Sequence, residues 1–84
     1  MSDTLFATLG TSQRILKLLE SKKEYGGPQS INDVCQNLNM SNRNTRSVLS
    51  KMYKSGKIDR ISLGIYRIKG DSREYNDNKP YYNQ

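Results

Sequence analysis

Histidine and tryptophan are absent from this 84-residue chain, and cysteine occurs once. With no histidine and with carboxylates scattered along the chain, no acid and base sit at a spacing that would support catalysis, so no enzyme is expected. One cysteine without histidine supplies no transition-metal ligand set, and nothing implies a cofactor. Cys35 alone cannot close an internal disulfide, which favours a reducing, cytoplasmic setting. Apolar runs never exceed three residues, too short to span a membrane. The opening Met1-Ser2-Asp3-Thr4-Leu5-Phe6-Ala7 lacks the basic start and long apolar run of a secretory leader. Apolar residues make up 33% of the chain, so the core must be small and some segments should lie outside it.

Positive charge, by contrast, is in excess. Fourteen Lys and Arg against eight Asp and Glu give a net charge of +6 and point to a polyanionic partner. The excess is localised. Between residues 41 and 69, Arg43, Arg46, Lys51, Lys54, Lys57, Arg60, Arg67 and Lys69 face the single acid Asp59, whereas the rest of the chain holds six basic and seven acidic residues.

The pattern divides the chain into an arm (1–10), a folded domain (11–69) and a polar tail (70–84). Leu5, Phe6 and Leu9 lie on one side of a helical turn in the arm, before Gly10. From a cap at Thr11 or Ser12, apolar Ile15, Leu16, Leu18 and Leu19 predict a first helix running to Lys23, stopped by Gly26-Gly27-Pro28. Ser30, with Asp33 three residues on, caps a second helix whose apolar face is Ile31, Val34, Cys35 and Leu38. Asn39 suits a left-handed residue after that helix, Met40 plugs the turn, and Ser41 caps a third helix. The third helix, 42–55, faces inward with Thr45, Val48, Leu49 and Met52 and stops at Gly56. Lys57 to Ile61 and Ile65 to Lys69 then read as a β-hairpin with Gly64 at positive φ, and Tyr66 as a wedge between hairpin and third helix. Cys35 reads as a small core residue. The tail has no aliphatic residue and is expected to be an extended or disordered, solubilising extension. The fold class expected is α+β, mainly α with a small β-hairpin.

The segment Ser30-Ile31-Asn32-Asp33-Val34-Cys35-Gln36-Asn37-Leu38-Asn39-Met40-Ser41, followed by Thr45, Val48-Leu49, Met52, Gly56-Lys57-Ile58 and Gly64-Ile65-Tyr66-Arg67-Ile68, resembles the winged helix-turn-helix of bacterial and archaeal transcriptional repressors. The resemblance covers residues 11 to 69, with Asn39 where that family usually has Gly. It implies three helices plus a wing, with the third helix reading double-stranded DNA. On a helical wheel, the ridge opposite Thr45, Leu49 and Met52 is Arg43, Ser47, Ser50 and Lys54, flanked by Asn44, Arg46 and Lys51, with Asn42 at the helix start. Arg suits guanine, Asn suits adenine, small Ser allows close approach, and Lys suits phosphate. Arg60 and Arg67 on the hairpin would reach a minor groove or the backbone.

The expectation is a sequence-specific transcriptional regulator, repressor-like and nucleoid-associated, acting by occupancy alone, with no small-molecule effector. Pairing of two copies through Leu5, Phe6 and Leu9 would lengthen its site. The other class compatible with this fold is a winged-helix adaptor that docks proteins within a larger complex.

Overall fold

The computed structural model describes residues 10–82, so the proposed pairing segment at Leu5, Phe6 and Leu9 lies outside the described residues. Helix α1 is Thr11–Glu20, strand β1 Gln29–Ser30, helix α2 Ile31–Leu38, helix α3 Asn42–Lys54, strand β2 Ile58–Ser62 and strand β3 Ile65–Ile68. The three helices and an antiparallel sheet of order β1-β3-β2 form a small α+β fold. Its core is Ile15, Leu18 and Leu19 of α1, Val34 and Leu38 of α2, Leu49 and Met52 of α3, and Ile58 and Tyr66 of the hairpin. Among the described residues no helix is long and apolar enough to cross a membrane.

Local chemistry explains most element ends. Ser30 Oγ accepts from the Asp33 N–H and Asp33 Oδ2 accepts from the Ser30 N–H, both at 3.0 Å, a reciprocal cap that starts α2. Asn39 adopts φ 55°, and its N–H and that of Met40 both donate to Cys35 O, turning the chain within three residues. Ser41 Oγ accepts from the Asn44 N–H and opens α3. In the hairpin, Ile58 pairs with Ile68, Asp59 with Arg67 and Arg60 with Tyr66, and Ile61 is a bulged extra residue before Ser62 pairs with Ile65.

Three features differ from the sequence expectations. Helix α1 begins after Gly10 without a side-chain cap from Thr11 or Ser12, and it ends at Glu20 rather than Lys23. The early end follows from the Arg73 guanidinium, which donates to Leu19 O (3.1 Å) and Ser21 O (2.8 Å) and so takes carbonyls at that helix end. The chain then doubles back tightly enough that a Cβ on Gly26 would stand 2.5 Å from Ser21 O. The second difference is β1, two residues that pair with Tyr66 and Ile65 and make the hairpin a three-stranded sheet.

The third is the tail. Residues 71–82 contain no helix or strand, yet they run along the body as a strap rather than standing apart from it. Asp33 Oδ2 accepts from Tyr75 OH and Lys79 Nζ, each at 2.8 Å, and Oδ1 accepts from Tyr81 OH at 3.2 Å. Farther along, the Tyr82 N–H donates to Asn37 Oδ1, and the Tyr82 ring meets Tyr25 edge-on with centroids 5.1 Å apart. Asn37 Nδ2 donates in turn to Gln29 Oε1 (2.9 Å), whose amide donates to Tyr25 O and Gly27 O. Asp33 and Asn37 lie one turn apart on α2, so the strap covers a polar stripe and supplies partners to the groups it buries there.

Candidate nucleic-acid interface

Helix α3 is mounted by its inner face. Leu49 and Met52 are in the core, and Thr45, fully buried, donates from Oγ1 to Ser41 O at 2.8 Å and accepts from the Cys35 thiol at 3.4 Å. Cys35 is half-buried beside Thr45 rather than a member of the core, where the sequence reading put it. That inner stripe fixes which residues face outward. Asn42, Arg43, Asn44, Arg46, Ser47, Lys51 and Lys54 are exposed, and Ser50 is half-buried. Asn42 Oδ1 accepts from Arg46 Nη1 at 3.4 Å, a long bond one turn apart that leaves the guanidinium free to exchange partners.

The two hairpin arginines separate. Arg60 pairs across the ladder with the core-facing Tyr66 and lies over the Tyr53 ring, 4.7 Å from its centroid, while Tyr53 meets Tyr66 edge-on at 6.3 Å. Tyr53 therefore joins the end of α3 to the hairpin and carries Arg60 on the same surface as the helix ridge. Tyr66 is buried, in the wedge position expected of it. Arg67, one residue along from Tyr66, points to the opposite face of the sheet, half-buried beside Asp59. Lys69 shares that face and pairs with Asp59 at 3.6 Å. The ridge and Arg60 are brought together, and Arg67 is held away from them by the thickness of the sheet.

Electrostatically the surface is uncompensated. The ion pairs among the described residues are Lys69 with Asp59, Arg73 with Asp71 and Lys79 with Asp33. None of Arg43, Arg46, Lys51, Lys54, Lys57 and Arg60 lies within ion-pair distance of a carboxylate there. Negative charge is instead retained behind α2. Burial by itself raises the Asp33 carboxyl, but the Lys79 ammonium, the Ser30 N–H and the Tyr75 hydroxyl outweigh it and hold the group below its ordinary value of 3.8. Tyr75 and Tyr81 are pushed up, first by burial and also by the Asp33 charge, so both phenols stay protonated as donors.

Tyr53 and Lys57 are members of this surface that the sequence reading did not single out as site residues. Tyr53 is one residue past the core-facing Met52 on the wheel, a position that reads as ordinary helix surface until the hairpin is docked beside it. Comparison of the chain with protein-family models, curated proteins and solved structures finds no match.

Proposed function

We propose that this chain is a winged helix-turn-helix protein that binds double-stranded DNA in a sequence-specific manner, with α3 in the major groove and the β2–β3 hairpin as its wing. The observation that carries the reading is the set of six unpaired cations on α3 and the adjoining β2 edge, continuous from Arg43 to Arg60. An exposed helix end bearing Arg, Asn and Ser, flanked by lysines one and two turns on, matches base edges at its start and phosphates at its end. Arg60, held on Tyr53, reaches the backbone beside the helix. Arg67 contributes from the other sheet face as general positive potential.

The protein acts by occupancy of its site as a cytoplasmic, nucleoid-associated transcriptional regulator. The described residues extend 32 Å at most, close to one duplex turn of about 34 Å, so one copy reads a half-site. Two copies joined through Leu5, Phe6 and Leu9 would read both halves. A mobility-shift titration against random and selected duplexes tests the proposal. Retarded bands that weaken as salt rises are expected, with tighter binding to selected sequences. Absence of any shift at low salt, or equal affinity for every duplex, would overturn it.

A further inference from the structure

Among the described residues, the large apolar side chains left exposed are Tyr53 (37%), Ile61 (39%) and Leu63 (90%). All three fall within the basic segment, and folding accounts for only the first. Tyr53 supports Arg60 and meets Tyr66. Leu63 stands at the tip of a tight hairpin, where Asn, Asp or Gly satisfies the turn at lower cost, and its side chain is almost wholly in water.

The tip is also firmly mounted. Gly64 holds φ +82°, its carbonyl accepts from the Ile31 N–H at 3.1 Å, and β3 is paired on one side with β1 and on the other with β2. The bulge at Ile61 adds one residue just before the tip, a device that bends a strand and re-aims its side chains. The result is a firmly held aliphatic point at Leu63, with Ile61 two residues before it on the strand that carries the unpaired cation Arg60.

We infer that Leu63 is a wedge that enters the minor groove beside the α3 contact and partly opens a base step, so that the protein bends the duplex it holds. The inference rests on the DNA-binding reading above. Charge complementarity selects the occupant, because Arg60 precedes the tip on the same strand and the unpaired cations of α3 continue from it past the Tyr53 ring, so the apolar tip shares its surface with a site for a polyanion. A groove floor between two phosphate rails has that form. Apolar wedges of this kind unstack a step and kink the helix, and pyrimidine–purine steps yield most easily.

The test uses the full chain, a selected duplex carrying a fluorescent dye at each end, and the variants Leu63→Ala and Leu63→Met. Energy transfer reads the bend, and the same titration reads affinity. The wild type is expected to shorten the end-to-end distance, Leu63→Met to retain that effect, and Leu63→Ala to lose most of it and to bind about tenfold more weakly. The salt slope of Leu63→Ala should equal that of the wild type, since no phosphate contact is removed. Unfolding is not at issue for a side chain that buries so little, and equal melting temperatures verify it. A wild type that leaves the duplex straight, or a Leu63→Ala variant that bends and binds as the wild type does, overturns the wedge while the DNA reading stands. A Leu63→Ala variant that changes sedimenting mass without changing the bend also overturns it and makes the tip a contact between copies. A wild type that binds no duplex overturns both readings.

Discussion

Asp33 gathers more interactions than any other carboxylate among the described residues, and its chemistry sets a pH dependence. Its carboxyl and that of the half-buried Asp71, held by the Arg73 N–H and guanidinium, both titrate below their ordinary value of 3.8 in the folded chain. A depressed folded pKa contributes stability that is complete above the unfolded value and is lost as pH falls through the folded one. Melting temperature should therefore hold at pH well above the ordinary value of 3.8 and fall as pH drops below it. Asp33→Asn removes the charge opposite Lys79, whose side chain is only 4% exposed, and should cost about 3 kcal/mol near neutrality. It should also flatten part of the acid fall, and thermal melts of both proteins across that range check the two effects together. At the opposite surface, Arg43 and Arg46 are exposed on the first turns of α3. Arg43→Ala or Arg46→Ala should lower affinity for a selected duplex by about tenfold and relax preference at one base pair. Equal losses on selected and random duplexes, from a folded variant, would remove base reading from that ridge.

Elements in this fold were legible where their signals are local. Ser30 with Asp33, Asn39 at left-handed φ, Ser41 before α3 and Gly64 in the hairpin are decided within four residues, and each stands where the pattern put it. The outward ridge of α3 was legible for the same reason, because Thr45, Leu49 and Met52 fix its rotation. What escaped is nonlocal. Strand β1 has two residues, too few for a period, and exists because Tyr66 and Ile65 offer it a ladder. The strap carries no aliphatic residue, so composition alone reads it as solvated, while its Tyr, Lys and Arg groups find buried acceptors some fifty residues away, such as Leu19 O and Ser21 O. The separation of Arg60 from Arg67 needed the register of the hairpin, since one residue of shift would put both on the same face. Removing residues 71–84 consequently uncovers Asp33, Asn37 and the end of α1 together. The shortened chain should melt at least roughly 12 °C below the full chain, and chemical denaturation should show a lower midpoint. If its stability matched that of the full chain, the strap would contribute nothing to the fold.

Across the whole molecule, charge is sorted into two regions. The acids Asp33 and Asp71 are paired with Lys79 and Arg73 of the strap, while six unpaired cations lie on α3 and the adjoining hairpin edge, with Lys17 and Lys23 also unpaired at and after α1. The densest run of unpaired positive charge among the described residues is therefore on that surface, and such a run orients an approaching polyanion before contact forms. The consequence is a defined salt response. If four to six of the cations each neutralise a phosphate, log affinity against log salt should fall with a slope of about −4 to −5, at roughly −0.9 per contact. Lys54→Ala and Arg60→Ala should each make that slope shallower by about 1 and weaken selected and random duplexes alike, because phosphates carry no sequence. Arg67→Ala should leave the slope nearly unchanged, since the sheet stands between Arg67 and the ridge. That contrast discriminates a surface that grips phosphates at specific positions from a diffuse attraction of net charge. In the diffuse case Arg67→Ala, Lys54→Ala and Arg60→Ala would all shift the slope by the same amount, and titrations of the three variants at several salt concentrations decide between them.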